Sequence, residues 1–413
     1  MTESRDEATV AAPSPDEPAE GGASAGPPSA SDVERILAGV HDPELGLSIV
    51  DLGMLKAVTV DERGNVVVGI ALTTAACPLR GQIKADVASK VRGLAGVADV
   101  DVEYAEMSQA ERSELMQRAR RHAAEHAPPT AVRATTRVIA VASGKGGVGK
   151  SSVTVNLAAG LAERGLRVGV LDADVWGFSV PRLLGVASRL KAKKIDDKSM
   201  ILPEELKIGS GVVRVVSMGL LVDDEDTALM WRGLVLAKAF EEFLTKVDWG
   251  ELDYLLVDMP PGTGDIQMAL ARMLPQSELL VVTTPAKNAQ KVAARVADMA
   301  RRSYLKVLGV VENMSAFVAP DGTRHEIFGR GGGDKLAALT GAPLVAQIPV
   351  EPAVSTAGDE GRPVVTAAPD SPAACAVRTL AERIATELLP PVEMAGCTAR
   401  LDEVFAKLQA TAS

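Results

Sequence analysis

The chain has 413 residues, of which 47% are hydrophobic but only 3% aromatic, and its formal net charge is −10. This length accommodates two domains and their linkers, and an acidic chain without a long Lys/Arg block does not fit general nucleic-acid binding. No apolar run approaches the ~18 residues of a membrane-spanning helix, and the polar N-terminus lacks the apolar core of a signal peptide. Three widely spaced cysteines fit a reducing compartment. We therefore expect a cytoplasmic protein without membrane or nucleic-acid partners.

The first 30 residues are rich in Ala, Pro, Ser, Gly and Glu, which predicts a disordered tail, residues 1–30. Ser31-Asp-Val-Glu34 then has the spacing of a capping box, which predicts a helix to about Val40. The following pattern predicts a small α+β domain over residues 31–107. Its further expected elements are a hairpin of strands Leu55–Val60 and Val66–Leu72, a helix over Pro78–Leu94 and a strand over Ala98–Tyr104.

Three stretches of this region resemble the Fe–S cluster assembly (FSCA) domain: Asp42-Pro-Glu-Leu45, Ser48-Ile-Val-Asp-Leu-Gly53 and Thr73-Thr-Ala-Ala-Cys-Pro78. With Pro78 at the first helical position, Cys77 would be the N-cap residue. The helix dipole at that end favours the thiolate, which is both a nucleophile and a metal ligand. Cys77 is therefore a candidate iron–sulfur ligand, the alternative being a small apolar residue that only caps the helix.

Residues 108–135 are strongly polar, with Arg/Glu-rich helical spacing, and predict a semi-rigid linker. The β-branched run Val138–Ala142 then predicts a buried parallel strand, and a helix is expected over Ser152–Ala162. Between them lies Gly144-Lys-Gly-Gly-Val-Gly-Lys-Ser151, the pattern of a phosphate-binding loop. Strand, loop and helix together place backbone N–H groups and a helix N-terminus around a polyphosphate. A chance glycine-rich turn would lack this context.

Lys150 would reach the β- and γ-phosphates of a nucleotide, and the Ser151 hydroxyl would bind Mg²⁺. Two later apolar strands end in acidic residues, the first in Asp172 and Asp174 and the second in Asp258. In an open α/β sheet, ligands bind beyond the carboxyl ends of the strands. We expect Asp258 to hold the magnesium ion, Asp172 to support it from the outer shell and Asp174 to orient the attacking water. The alternative for Asp258 and Asp174 is that they are turn residues at the ends of their strands and bind neither metal nor water.

The second lysine of the loop, Lys145, makes it resemble the deviant Walker A motif of the MinD/ParA/nitrogenase-iron-protein class. In that class this lysine reaches the partner subunit's nucleotide, which implies a homodimer and a catalytic role for Lys145, beside the one expected of Asp174 from its place after a strand. Five further stretches are similar to the Mrp (ApbC-like) family: Leu171–Ser179, Asp258–Asp265, Val282–Pro285, Glu312–Ser315 and Ile327–Gly329.

The Mrp resemblance covers about Arg137 to Leu389 and implies an α/β P-loop NTPase over residues 136–390. Its mostly parallel sheet would be flanked by helices, and it would bind and hydrolyse ATP with Mg²⁺. The resemblance also implies that Asn313 contacts the adenine. The implied phosphate-binding residues are Gly144, Lys145, Gly146, Gly147, Val148, Gly149, Lys150, Ser151 and Ser152.

Members of the Mrp family are carriers or scaffolds for iron–sulfur clusters, which implies apoprotein clients. They usually carry a Cys-Pro-x-Cys pair between the Asn-Met-Ser and Ile-Phe-Gly stretches, and two such pairs can hold one cluster across a dimer. Here Ala319-Pro-Asp-Gly322 stands in that place, and neither alanine nor glycine can bind iron. Two functions stay open: an ATP-hydrolysing carrier with other cluster ligands, or a nucleotide-switched dimeric adaptor that binds clients without a cluster.

Other candidate ligands are few. Cys77 and Cys397 of two chains would supply four thiolates, whereas Cys375 lies on a helix-like stretch and is expected to be a buried small hydrophobic residue. His325 lies near the lost pair, although a solvated loop histidine is the simpler interpretation. Residues 391–413 form a C-terminal tail. A chromosome-partitioning ATPase is a weaker alternative, because it calls for a basic surface that this composition does not supply.

Overall fold

A computed structural model describes residues 26–43, 47–73, 79–174, 177–186, 189–195, 198–221, 233–262, 265–286, 295–296, 298, 300, 305–319 and 321–392. The predictions for the first 25 residues, for Cys77 and Cys397 and for most of the C-terminal tail lie outside these residues. The chain forms two compact units, residues 1–118 and 119–413.

The N-terminal unit is built on a three-stranded sheet of β1 (Leu55–Val60), β2 (Asn65–Leu72) and β3 (Asp99–Glu106). Strands β1 and β2 form an antiparallel hairpin, and helix α2 (Arg80–Arg92) leads from β2 to β3, which runs parallel to β2. Asp61 fixes the hairpin turn, because its Oδ1 accepts the N–H groups of Arg63 at 2.9 Å and Asn65 at 2.8 Å. The predicted hairpin is confirmed.

Two helices of this unit begin elsewhere than predicted. Helix α1 (Ala30–Leu37) has its capping box at Ser29 and Asp32 rather than at Ser31 and Glu34. Both pairs have suitable spacing, and the earlier start places Val33 and Leu37 on the buried face of the helix. Helix α2 has Leu79 as its N-cap residue, so it begins after the predicted start at Pro78. The prediction that Cys77 is the N-cap residue of this helix was therefore wrong.

The polar segment after this sheet contains helix α3 (Gln109–Glu125). Its start is capped reciprocally: Glu111 Oε2 accepts the N–H of Ser108 at 2.8 Å, and Ser108 Oγ accepts the N–H of Glu111 at 3.3 Å. Leu115 is buried, and Arg118 Nη1 donates to the carbonyl oxygen of Asp51 at 3.1 Å. The first part of α3 is therefore fastened to the N-terminal unit.

The second unit carries a nine-stranded sheet in the order β13-β12-β11-β4-β10-β5-β9-β8, with β14 also paired to β12. Its strands β4, β5, β9, β10, β11, β12 and β14 are parallel, whereas β8 and β13 are antiparallel edge strands. The strands, including the separate β6–β7 hairpin, are β4 Arg137–Ser143, β5 Arg167–Asp172, β6 Lys191–Ile195, β7 Lys198–Leu202, β8 Glu204–Ile208, β9 Gly211–Ser217, β10 Tyr254–Asp258, β11 Glu278–Thr283, β12 Lys306–Val318, β13 Arg324–His325 and β14 Leu344–Val350.

Helices cover both faces of this sheet. They are α4 Lys150–Glu163, α5 Val180–Leu183, α6 Gly233–Lys246, α7 Asp265–Met273, α8 Gly332–Thr340, α9 Pro352–Asp359, α10 Val364–Ala367 and α11 Pro372–Arg383. Alternate residues of β4 enter different cores: Ile139 and Val141 pack with α4 and α11, whereas Val138 and Ala140 pack with α6 and α7. The predicted α/β class, with a mostly parallel sheet between helices, is confirmed.

One prediction about packing was wrong. Cys375 is exposed rather than buried. The buried positions of α11 are Ala373, Ala374, Val377, Leu380 and Ala381, and Cys375 falls outside that apolar stripe. In the described part of the chain, no helix combines the length and apolarity needed to span a membrane.

Candidate active site

The glycine-rich loop joins the end of β4 to the start of α4, at the carboxyl end of the central sheet. Gly149, the N-cap residue of α4, has φ +77°, and a Cβ there would lie 2.3 Å from Asn313 Nδ2. Position 149 therefore needs glycine both for its backbone conformation and for space. Lys145 is exposed, and its carbonyl oxygen accepts a hydrogen bond from Ser143 Oγ at 3.0 Å.

Lys150, Ser151 and Asp258 meet at the centre of the site. Lys150 Nζ lies 2.7 Å from Asp258 Oδ2, and Ser151 Oγ donates to the same oxygen at 2.6 Å. Asp258 is fully buried and Lys150 is 6% exposed. Taking both charges out of water is costly, so this pair depends on its additional hydrogen bonds. The predicted neighbours are brought together.

Two hydroxyl groups complete this arrangement and carried no signal in the sequence. Thr154 Oγ1 donates to Asp258 Oδ1 at 2.8 Å, one turn into α4. Ser217, at the end of β9, donates through Oγ to Asp172 Oδ2 at 3.1 Å. Register explains the second contact, because Asp172 pairs with Asp258 on one side and with Ser217 on the other.

Asp172 and Asp174 lie beside this cluster in different surroundings. Asp172 is fully buried, and its carboxylate also accepts the N–H groups of Asp174 at 3.1 Å and Val180 at 3.3 Å. Burial, reinforced by the nearby charge of Asp258 and opposed by Lys150, raises the pKa of Asp172 to about 7. Asp174 Oδ2 lies 3.7 Å from Lys150 Nζ. Burial raises the pKa of Asp174 as well, although Lys150 opposes that change.

The oxygens beside Lys150 suit Mg²⁺, which prefers hard oxygen ligands and usually takes only one or two from the protein. Ser151 Oγ and Asp258 Oδ2 are 2.6 Å apart, so both could contribute to one ion or to its bound water. Among the described residues, no group of three His, Cys, Asp or Glu side chains forms a metal cage. A magnesium site completed by phosphate oxygens and water does not need such a cage.

A cleft of about 330 Å³ opens beside the loop, between Gly149, Asn313 and the segment that ends β14. Pro349, Val350 and Glu351 belong to its lining. Asn313 Nδ2 donates to the carbonyl oxygen of Val148 at 2.9 Å, so its side chain ties the loop to the cleft wall. The cleft volume lies in the range of small-molecule sites.

The stretch in the place of the Cys-Pro-x-Cys pair belongs to a hairpin whose residues 321–325 are exposed. The N–H of Ala319 donates to the carbonyl oxygen of Thr323 at 2.9 Å, and the N–H of Gly322 donates to that of Ala319 at 2.9 Å. His325 follows on β13 and stacks with Phe317, with ring centroids 6.2 Å apart. Ala319 and Gly322 bring no ligand atom in their side chains to this hairpin.

Comparisons with known proteins identify relatives of both parts of the chain. Residues 134–385 match the family described as NUBPL iron-transfer P-loop NTPase, and residues 30–104 match the family described as iron-sulfur cluster assembly protein. An "iron-sulfur cluster carrier protein" of Mycobacterium leprae is 45% identical over 349 residues, 83% of this chain and 89% of the relative. Its namesake in Deinococcus radiodurans is 44% identical over 356 residues, 86% of this chain and 94% of the relative.

Among solved structures, a nucleotide-binding protein of Archaeoglobus fulgidus in complex with ADP is 37% identical, with a TM-score of 0.47. The match covers 55% of this chain and 87% of that one. The first family match spans more than half of this chain, and both carrier relatives align over most of their length. The chain therefore belongs to the NUBPL iron-transfer P-loop NTPase family.

Proposed function

We propose that the second unit binds ATP with Mg²⁺ at the ends of β4, β5 and β10 and hydrolyses it. The observation that supports this most is the buried contact of Lys150 with Asp258 at 2.7 Å, next to Ser151. Bound nucleotide would draw Lys150 to its β- and γ-phosphates and leave the oxygens of Ser151 and Asp258 to Mg²⁺. The ion, when bound, supplies charge neutralisation at the phosphoryl oxygens.

The two remaining carboxyl groups would have separate tasks. Asp174 would accept a hydrogen bond from the attacking water, a role supported by its position 3.7 Å from Lys150. Asp172 would act from the outer shell, because its carboxylate already holds Ser217 Oγ and two backbone N–H groups. Fixing those groups would keep Asp174 and the start of α5 in position.

The cleft beside Gly149 is the proposed site of the adenosine moiety. Asn313 lies on its wall and uses Nδ2 to hold Val148, which leaves its carbonyl oxygen to accept a hydrogen bond from the adenine amino group. The lining carbons of Pro349 and Val350 would pack against the base. This placement joins the base site directly to the phosphate loop.

We also propose that Lys145 acts across a homodimer, on the nucleotide of the partner subunit. Its exposure at the tip of the loop supports this role. Lys145→Ala should then bind ATP nearly normally but hydrolyse it slowly. Mixing it with the hydrolysis-deficient Asp174→Asn protein should form mixed dimers that regain part of the activity. No recovery at any mixing ratio would contradict action across the interface.

The cargo that we propose is an iron–sulfur cluster, delivered to apoproteins by the ATP-driven cycle. The name of the family and the names of the two relatives support this proposal. Since Ala319 and Gly322 offer no ligand, we place the cluster on other thiolates, with Cys77 of the FSCA-like unit as the first candidate. Closing and opening of the dimer would then control cluster release.

The hairpin sequence also favours a second candidate, a nucleotide-switched adaptor that docks client proteins without binding a cluster. One experiment separates the two: anaerobic reconstitution with iron and sulfide, followed by iron quantitation and visible absorbance. We expect about two to four irons per dimer with a charge-transfer band in the wild type, lost in Cys77→Ala and retained in the control Cys375→Ala. A wild type without iron would leave the adaptor as the function.

A further inference from the structure

The turn that follows Asp258 has very few hydrogen-bond donors. Pro260 and Pro261 have no N–H group, and the N–H of Gly262 is already used, donating to the carbonyl oxygen of Ser143 at 3.0 Å. Gly262 has φ +93°, which directs the chain out of the turn in a conformation that favours glycine. In the described residues 259–262 no N–H group is left to donate to the carbonyl oxygens of Pro260 and Gly262.

Gln267 of α7 supplies the missing donors. Its Nε2 lies 3.3 Å from the carbonyl oxygen of Pro260 and 3.2 Å from that of Gly262, so the two amide protons match the two acceptors. These contacts also fix the orientation of the amide, since the reverse orientation would set three oxygens against one another. Gln267 is 2% exposed.

The other end of this amide is unusual. Among the residues that the structure describes, Gln267 Oε1 is a buried polar atom without a hydrogen-bond partner. Buried acceptors are paired in the great majority of cases, and an unpaired one destabilises the fold. A methionine would fill similar space without that cost. Glutamine at this position is therefore explained by its two protons, which the turn requires.

The turn is linked by hydrogen bonds to the phosphate loop. Gly262 donates to the carbonyl oxygen of Ser143, and Ser143 Oγ donates to the carbonyl oxygen of Lys145 at 3.0 Å. The N–H of Met259, next to Asp258, donates to the carbonyl oxygen of Val141 at 3.0 Å. The turn, Asp258 and the start of the loop thus share the end of β4 as a common support.

We propose that Gln267 is a positioning residue for ATP hydrolysis: its amide holds the 260–262 turn, which sets Asp258 and the start of the phosphate loop. This rests on the ATPase activity proposed above. Loss of the amide protons should loosen the turn without removing Lys150 or the base cleft. Turnover should therefore suffer far more than nucleotide affinity, since small displacements of reacting groups slow chemistry strongly.

The test compares Gln267→Met, which removes both protons, with Gln267→Glu, which keeps the shape but puts a carboxylate oxygen in place of Nε2, facing the two carbonyl oxygens. Gln117→Met, an exposed glutamine on α3, is the control. We expect kcat to fall about ten- to a hundredfold in both variants, most in Gln267→Glu, while the Kd for ATP changes less than about threefold. The Gly262 amide should exchange its hydrogen faster in Gln267→Met.

Wild-type kcat and unchanged Gly262 exchange in Gln267→Met would overturn the proposal. A loss of ATP affinity as large as the loss of kcat would also overturn it, because it would indicate a general defect of the site. If the wild type itself did not hydrolyse ATP, the proposed ATPase would fail, and exchange at Gly262 alone would decide whether Gln267 holds the turn.

Discussion

The strand-end cluster around Asp258 and the hairpin around Ala319 lie in one unit but are built in opposite ways. Asp258 is fully buried and contacts Lys150, Ser151 and Thr154 within 2.8 Å. The hairpin is held by backbone hydrogen bonds between Ala319, Gly322 and Thr323 and by the Asp321 carboxylate, which accepts the N–H of Thr323 at 2.9 Å. Residues 321–330 are exposed. A buried cluster of charged groups thus coexists with a hairpin in which Ala319 and Gly322 bring no ligand atom.

This difference shows that the choice of residue types is narrower in the buried cluster than in the exposed turn. An unpaired polar atom in a buried cluster destabilises the fold, so few residue types are tolerated there. An exposed turn keeps its shape with many side chains, and its chemistry can be lost without loss of fold. The proposed nucleotide chemistry therefore stands apart from the question of the cargo, and the following changes test that separation.

Removal of the central charge should have the largest effect. In Lys150→Ala, Asp258 would be left buried without its cationic partner, and phosphate would lose its main neutralising group. We expect ATP hydrolysis to fall at least about a thousandfold, with weakened nucleotide binding. Lys306→Ala, at the opposite end of the strands, is the control and should hydrolyse normally. Hydrolysis at the wild-type rate in Lys150→Ala would contradict the phosphate-loop assignment.

A smaller loss should follow from Asp174→Asn, which keeps the shape but removes the charge near Lys150. Turnover should fall about a hundredfold, the lower end of the loss expected for a group that acts on the attacking water. Magnesium-dependent ATP binding should persist, measured by titration with and without the metal, with Asp99→Asn as an exposed control. Loss of binding together with turnover would instead place Asp174 among the magnesium ligands.

The sequence indicated those site residues whose type and position in a motif are both restricted. Lys150 and Ser151 stand at fixed offsets in a glycine pattern, and Asp258 ends a fully apolar strand, so each could be placed before the fold was known. Thr154 could not, because a threonine inside a helix usually packs or bonds to its own backbone. Its contact with Asp258 arises only when β10 lies beside β4.

Sheet register and helix packing account for other residues that the sequence did not reveal. Ser217 reaches Asp172 because β9 pairs with β5, and Gln267 meets the 260–262 turn only after α7 has packed. The capping box at Ser29 was missed because Ser31 and Glu34 have the same spacing as Ser29 and Asp32. The α/β class needed none of these contacts, because the strand–loop–helix pattern around Gly144–Ser151 and the resemblance to the Mrp family already implied it.

A further test contrasts two acids whose pKa values move in opposite directions. Burial, together with the charge of Asp258, raises the pKa of Asp172 to about 7, so ionisation destabilises the folded state as the pH rises from about 4 to 7. Asp172→Asn should therefore gain stability over the wild type across that range, by at most about 1.4 kcal/mol per pH unit, and no further above it. Urea unfolding of the nucleotide-free protein measures this.

Asp253→Asn is the control of opposite sign. Burial opposes the change, but hydrogen bonds from Arg167 lower the pKa of Asp253 overall. Its stabilising effect is therefore present above the unfolded-state pKa and is lost as the pH falls through the folded-state value. Asp253→Asn should therefore be less stable than the wild type near neutral pH, and this difference in the free energy of unfolding should shrink in acid. Parallel pH curves for the two variants would contradict the assigned environments.

The smallest effect on hydrolysis is expected at the hairpin. Ala319→Cys with Gly322→Cys places two thiols on a turn whose backbone bonds join Ala319, Gly322 and Thr323, so ATP turnover should stay within about twofold. Gly322 has φ +83°, so the change should cost about 1 kcal/mol of stability.

Two thiols per chain could hold one cluster across a dimer, and iron bound on reconstitution should rise by about two to four per dimer. The same double change to serine has the same backbone strain without thiolate ligands, and equal iron in both would show that the two hairpins do not meet across the dimer.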